Sequence, residues 1–108
     1  MIAPMHERRR HRSEIKGQAA ELYLQHAQRS FRLQQFVLAN EDGLVIAASE
    51  PGEDAELLAG TAEIAAASPA IHVQGVELLG QRCVLAARGQ RAPDMGAAAA
   101  AMGRIFSS

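Results

Sequence analysis

The 108-residue chain contains no tryptophan, few aromatic residues of any kind and one cysteine. The single cysteine, Cys83, excludes an intramolecular disulfide and a cysteine-based zinc site, and it is typical of a reducing compartment. No apolar run approaches the ~20 residues that a membrane-spanning helix needs. No apolar segment follows Arg8, Arg9 and Arg10 as it would in a secretory signal, so we expect a cytoplasmic protein without membrane contact.

The motifs of the common enzyme classes are also missing. The sequence has no Walker-type phosphate loop and no GxGxxG, GxSxG or HExxH pattern. His26 and His72 have no carboxylate or cysteine at the spacing of metal ligands, and His6 and His11 belong to a charged N-terminal segment. We therefore predict a protein without enzymatic activity, cofactor or bound metal.

The chain has the length of one domain, and its charge is distributed unevenly along it. The net charge is −1, and the composition is 48% hydrophobic and 21% charged, as in globular proteins. Residues 1–40 hold seven basic and three acidic side chains, whereas residues 41–108 hold four basic and nine acidic ones. The two parts of the chain therefore carry charge of opposite sign.

The first twelve residues form the most basic segment. Residues 1–12 lack apolar periodicity, so we expect a flexible arm that precedes a single domain of residues 13–108. The arginines of this arm are Arg8, Arg9, Arg10 and Arg12. A basic arm can bind nucleic acid, but a solvated tail is the favoured interpretation because no aromatic residues are interleaved with the arginines.

Residues 36–49, FVLANEDGLVIAAS, have the pattern of a β-hairpin. Two apolar runs of strand length flank the polar residues 40–43, and Gly43 provides the positive φ that a tight turn needs. Apolar residues occupy both alternating sets of each run, so both faces of the hairpin need cover. Glu41 and Asp42 could serve as an acid–base pair, but a role in the turn is the favoured interpretation for carboxylates at this position.

Helical and strand patterns alternate along the rest of the chain. They predict helices over residues 13–30, 54–67 and 94–106, and a second hairpin formed by residues 71–79 and 82–87. On the first helix, the residues at helical spacing that are predicted to form the buried face are Ile15, Ala19, Leu22, Tyr23, Ala27 and Phe31. The order α-β-β-α-β-β-α predicts an α+β fold with an antiparallel sheet, the first and third helices on one face and the middle helix on the other.

The middle helix is apolar over more than one narrow stripe and is rich in small side chains. The residues that form this broad apolar surface are Leu57, Leu58, Thr61, Ala62, Ile64 and Ala65. A single buried face does not account for all of them, and small residues permit close approach of a second helix. We therefore expect a second copy of this helix to pack on it across a two-fold axis.

The initial helix, the hairpin, the acidic loop after it and the helix DAELLAGTAEIAAA together resemble the roadblock/dynein-light-chain superfamily. The resemblance runs from about residue 33 to residue 67, with looser agreement to residue 106, and is most specific at Asp42 and Gly43 and the apolar strand that follows. It implies a roadblock/profilin-like fold. That family usually has three strands after the middle helix, whereas residues 70–88 have comfortable room for two.

The same resemblance implies a function and an interface. Members are small cytoplasmic non-enzymes that dimerise through the middle helix and an edge strand, and bacterial members often work beside Ras-like GTPases. A homodimeric scaffold that binds or regulates a small Ras-like GTPase is therefore implied. The expected interface residues are Leu57, Leu58, Thr61, Ala62, Ile64, Ala65, Ile71 and Val73. The alternative is a GAF- or PAS-like sensor of a small ligand, because such domains also contain strand–Asp-Gly–strand hairpins.

Overall fold

The computed structural model describes the backbone of residues 5–65 and 67–107 and the side chains of residues 14–64 and 67–107. In this part of the chain, three helices and four strands follow one another in the predicted order. The helices are α1 (Met5–Ser30), α2 (Glu53–Ala65) and α3 (Met95–Ile105). The strands are β1 (Gln35–Asn40), β2 (Val45–Ala48), β3 (Ile71–Leu78) and β4 (Gln81–Arg88). None of the described helices is long and apolar enough to cross a membrane.

The four strands form one antiparallel sheet in the order β2-β1-β4-β3. Each hairpin pairs its own two strands, and β1 pairs with β4 over its whole length. The β3–β4 register is regular through Gly75, whereas the β1–β2 register shifts after Leu38. β2 and β3 are therefore the two edges of the sheet, and the described residues after α2 form two strands rather than three.

Alternating side chains of the central strands contribute to two apolar layers. The first layer packs α1 and α3 on one face of the sheet, and its largest members are Phe36, Leu24, Leu38, Leu85 and Met102. The second layer packs α2 on the other face and comprises Val37, Ala39, Ala48, Ala55, Leu58, Ala59, Ala62 and Ala86. This arrangement confirms the predicted α+β fold, with two helices on one face and the middle helix on the other.

The first helix begins earlier than the sequence pattern predicts. α1 starts at Met5 rather than at residue 13, so residues 5–12 of the predicted basic arm are helical. Residues 1–4 lie outside the described residues. Residues 5–12 contain neither proline nor glycine, and arginine is a good helix former, so nothing in them opposes the helix. The flexibility of the basic segment and the domain boundary at residue 13 stay predictions.

The buried face of α1 also differs from the predicted one. Ala20, Leu24 and Ala27 are buried in the first layer, whereas Ile15 is 50% and Leu22 is 66% exposed. The prediction that Ile15 and Leu22 face the core was therefore wrong. Alanines on the buried face allow the helix axis to approach the sheet closely, and a single leucine then fills the space between them.

Candidate interaction surface

The turn between β1 and β2 packs closely against α2. The side-chain oxygen of Asn40 accepts hydrogen bonds from the backbone N–H groups of Asp42 and Leu44, at 2.9 and 3.0 Å. Gly43 has a φ of 81°, and a Cβ atom at this position would lie 3.1 Å from the Cα atom of Gly60 in α2. Any other residue would be strained there and would press on the helix. In this turn Asn40 supplies the hydrogen bonds, and Asp42 is exposed.

α2 exposes an apolar face on the side that points away from the sheet. Leu57 is 63% and Ile64 is 82% exposed, and Thr61 lies one helical turn from each of them. Leu58 and Ala62, which the sequence also places in an interface, are buried in the layer between α2 and the sheet. Large apolar side chains exposed at this spacing form a stripe that another apolar surface can cover.

β3 continues this apolar surface along the edge of the sheet. One side of β3 pairs with β4, and no described strand pairs with the other side. Ile71 and Val73 are half-buried and pack against the layer below α2. The side chain of Ala65 is outside the described part of the chain. We call the resulting patch the α2–β3 surface; it comprises Leu57, Thr61, Ile64, Ile71 and Val73.

A buried glutamine anchors the start of α2 to the sheet. The side chain of Gln35 is fully buried, and its Nε2 donates to the backbone oxygen of Glu50 and to Oδ2 of Asp54, at 3.0 and 3.1 Å. Its Oε1 accepts from the Ser49 hydroxyl and from the Glu50 N–H, both at 3.1 Å. One amide therefore connects β1, the end of β2 and the first turn of α2.

An ion pair also connects β4 to the first turn of α2. The guanidinium of Arg88 donates a hydrogen bond to the carboxylate of Asp54. Hydrogen bonds from Arg88 and then from Gln35 hold the pKa of Asp54 below its ordinary value of 3.8. The charged form of Asp54 is thus favoured, and the ion pair connects the first turn of α2 to the end of β4.

Gln35, Ser49 and Arg88 are absent from the site predicted from the sequence. Each lies at one end of an apolar run, where a polar residue is also typical of an ordinary turn. The available signal is that Gln35 precedes the first apolar run and Ser49 follows the second. A hairpin brings these two ends close together, and in the structure Ser49 lies opposite Phe36, the neighbour of Gln35.

The described residues offer little reactive chemistry. Cys83 is buried in β4; burial, and to a smaller extent the charge of Glu41, raises the pKa of its thiol. A thiol of this kind is a poor nucleophile at neutral pH. Among the described side chains, no three His, Cys, Asp or Glu residues converge on a position that could hold a metal ion.

The architecture is similar to that of a solved structure described as MglB with a tetrameric arrangement. The two structures have a TM-score of 0.58 at 16% sequence identity, and the match covers 84% of this chain and 90% of that chain. The chain has a roadblock-like fold. No protein-family model matches the chain, and no curated protein matches its sequence. The similarity confirms the fold that the first hairpin and the middle helix predict.

Proposed function

We propose that the chain is a non-catalytic, cytoplasmic, homodimeric scaffold whose α2–β3 surface pairs with the same surface of a second copy. The observation that supports this proposal is the exposed apolar face of α2 beside an edge strand whose outer side pairs with no described strand. A two-fold axis at this surface covers both features at once, because α2 packs on α2 while the two edge strands lie next to each other. The tetrameric arrangement described for MglB is an example of self-association in a chain of this fold.

The spacing of residues along α2 suits an antiparallel helix pair. Leu57 and Ile64 are equally far along the chain from the midpoint between Gly60 and Thr61, so Leu57 of each copy meets Ile64 of the other. Gly60 has open space where a Cβ atom would lie, so the two helices can approach closely at the crossing point. Burial of a leucine or isoleucine side chain stabilises a dimer by about 1.5–3 kcal/mol.

Two substitutions on α2 and one on α1 test the dimer. We expect the native chain to be a dimer by light scattering at micromolar concentration, and Leu57→Glu and Ile64→Glu to be monomers. The matched control is Leu22→Glu, because Leu22 is equally exposed on a helix outside the α2–β3 surface and its change should leave the mass unchanged. A monomeric native chain, or the same mass for all the variants, would contradict the dimer.

We propose further that this dimer binds or regulates a small Ras-like GTPase. The support is the resemblance of the first hairpin and the middle helix to the roadblock family, together with the shared fold. α2 adds a feature that bears on the partner: it has four acidic residues and no basic residue, so two paired copies would present an acidic surface. A GTPase with basic side chains near its switch regions would complement that surface.

A purified Ras-like GTPase from the same genome provides the partner test. We expect the native dimer to bind it and to change its rate of nucleotide hydrolysis, and we expect Ile64→Glu to do neither, because the contact surface needs two copies. Leu22→Glu should behave as the native chain does. A native dimer that neither binds the GTPase nor changes its turnover would count against this partner while leaving the dimer intact.

A further inference from the structure

A groove that contains several arginines lies at the end of the molecule where α1 ends and β1 begins. It has two adjoining parts that share Arg32. Arg29 and Glu50 line the first part, and Arg91 lines the second. We call it the arginine groove after Arg29, Arg32 and Arg91. The residues that line it are outside α2 and β3, so the groove is separate from the α2–β3 surface.

Arg32 has a backbone conformation that arginine rarely adopts. Its φ is 53°, directly after the end of α1, where the Leu33 N–H donates to the backbone oxygen of Gln28 at 2.8 Å. Glycine is the usual residue at such a helix end, because a side chain makes the left-handed conformation unfavourable. The Arg32 side chain is exposed, so burial in the core does not compensate for this conformation. The exposed Leu79 has a similar φ of 51°, so the conformation fixes the backbone of Arg32 at the end of α1 and does not by itself assign a role to its side chain.

The loop after β4 brings the third arginine, Arg91, to the same place. A Cβ atom at Gly89 would lie 2.8 Å from Cδ2 of Leu33, so the backbone of Gly89 packs directly on the loop that contains Arg32. The Gly89 N–H donates to the backbone oxygen of Ala70 at 2.9 Å, which fixes the end of β4. Arg91 follows two residues later and lines the second part of the groove.

The groove has more basic than acidic side chains. Arg88, at the same end of the molecule, forms an ion pair with Asp54, but within the described residues Arg29, Arg32 and Arg91 have no such partner. Glu50 is the carboxylate among the residues that line the two parts. A concave surface with surplus guanidinium groups attracts carboxylates, because each guanidinium can donate two parallel hydrogen bonds to one carboxylate.

We propose that the arginine groove binds an acidic peptide segment of a partner protein. The two parts of the groove adjoin at Arg32, so one extended chain can contact both, and Arg29 and Arg91 line different parts, which suits several carboxylates better than one phosphate. The side-chain amides of Gln34 and Gln90 line the second part and can hydrogen-bond to peptide groups. Single-stranded nucleic acid needs several aromatic platforms along a basic track, and at this groove Phe31 is the one aromatic lining residue.

A short, fluorescently labelled, glutamate-rich peptide tests this proposal by anisotropy at low salt. We expect the native chain to bind it, and Arg32→Gln and Arg91→Gln each to weaken binding about tenfold, since each removes a charged hydrogen-bond donor. The matched control is Arg104→Gln, which removes the same charge from the exposed last turn of α3 and should bind as the native chain does. Unchanged thermal melting of the two groove variants shows that they remain folded.

Three results would overturn the proposal. The first is equal affinity of the native chain and the double variant Arg32→Gln/Arg91→Gln for the peptide. The second is equal binding of a peptide in which glutamine replaces every glutamate. The third is that inorganic phosphate or single-stranded DNA displaces the labelled peptide at a lower concentration than unlabelled peptide does. Ile64→Glu should keep its peptide affinity, so failure of the dimer and failure of the groove give different results.

Discussion

At the scale of single residues, Gln35 combines complete burial with full use of its hydrogen-bonding groups. Replacing it with alanine leaves the Ser49 hydroxyl and the Glu50 backbone without these partners and opens a cavity at the end of the sheet. We expect Gln35→Ala to lower the free energy of unfolding by about 2–4 kcal/mol, measured by urea titration. The control is Gln34→Ala, an exposed neighbour that should change it by less than about 0.5 kcal/mol. A Gln35→Ala protein as stable as this control would contradict the role of the network.

Arg32 is the residue at which stability and binding are expected to conflict. Glycine adopts the left-handed conformation freely, so Arg32→Gly removes an unfavourable term of about 1–2 kcal/mol but makes the unfolded chain more flexible. We expect a net gain in the free energy of unfolding of about 0.5–1 kcal/mol, together with loss of acidic-peptide binding.

The control for Arg32→Gly is Arg29→Gly, the same substitution three residues earlier in the chain. Arg29 lies in the last turn of α1 with helical backbone, so Arg29→Gly should destabilise the protein by about 1 kcal/mol. Both free energies come from thermal or urea unfolding. If Arg32→Gly destabilises the protein as Arg29→Gly does, the left-handed conformation is not a source of strain.

At the scale of secondary-structure elements, α1 offers two leucines on opposite sides of one helix. Leu24 is fully buried against the sheet, whereas Leu22 is 66% exposed. We expect Leu24→Ala to lower the free energy of unfolding by about 2–5 kcal/mol, because it leaves a cavity in the first layer. Leu22→Ala should change it by less than about 0.5 kcal/mol. Similar effects of the two changes, measured by urea titration, would mean that the helix is rotated from the orientation described here.

The strands were more predictable than the helix faces, for a physical reason. In a strand successive side chains point to opposite faces, so the continuous apolar run of the first hairpin predicts cover on both faces; in the structure Phe36 and Leu38 face one layer and Val37 the other. α1 has three alanines, Ala19, Ala20 and Ala27, and alanine is compatible with both a buried and an exposed position. Packing against the sheet decides which of Leu22 and Leu24 is buried. The sequence of the helix alone does not show which one it is.

The α2–β3 surface and the arginine groove also differ in how far the sequence predicts them. Leu57, Thr61 and Ile64 could be predicted as an exposed stripe because they lie within one helix, but the sequence did not separate them from their buried neighbours on α2. The arginine groove was not predicted at all. Arg29 and Arg32 are separated from Arg91 by most of the chain, and they meet only because β1 pairs with β4 and Gly89 packs on the loop after α1.

At the scale of the whole molecule, Asp54 couples stability to pH. Its pKa is lower in the folded protein than in the unfolded chain, so its contribution to stability is present above about pH 4 and is lost as the pH falls through the folded value. Asp54 is about half exposed, so solvent screening limits the contribution to about 0.5–1 kcal/mol. We expect Asp54→Asn to be less stable than the native protein at pH 7 by this amount, and we expect the difference to shrink as the pH falls through the folded pKa of Asp54.

The control for this pH dependence is Asp42→Asn, which removes the same charge from an exposed turn residue outside the described ion pair. Its effect on the free energy of unfolding at pH 7 should be smaller than that of Asp54→Asn. Urea titrations at several pH values provide the measurement. A difference between Asp54→Asn and the native protein that grows toward low pH would have the wrong sign for a stabilising ion pair.

The composition of the layer between α2 and the sheet links the proposed self-association to the stability of the whole molecule. Six of its eight buried members are alanines, so α2 buries little apolar area on the sheet; of its three large apolar side chains, Leu58 is buried there and Leu57 and Ile64 point outward. Buried apolar area is the main source of stability, and in this half of the molecule a second copy would supply much of it. Folding of α2 and dimer formation should therefore be linked by mass action.

This linkage predicts a melting temperature that rises with protein concentration. A tenfold increase in concentration adds about 1.4 kcal/mol per dimer, or about half of that per chain, which corresponds to a rise of roughly 3–5 °C for a domain of this size. Ile64→Glu should melt at a lower temperature that is independent of concentration, whereas Leu22→Glu should follow the native chain. Scanning calorimetry over a hundredfold range of concentration provides the measurement. A native protein whose melting temperature stays constant over that range folds without its second copy, and the alanine-rich layer is then sufficient on its own.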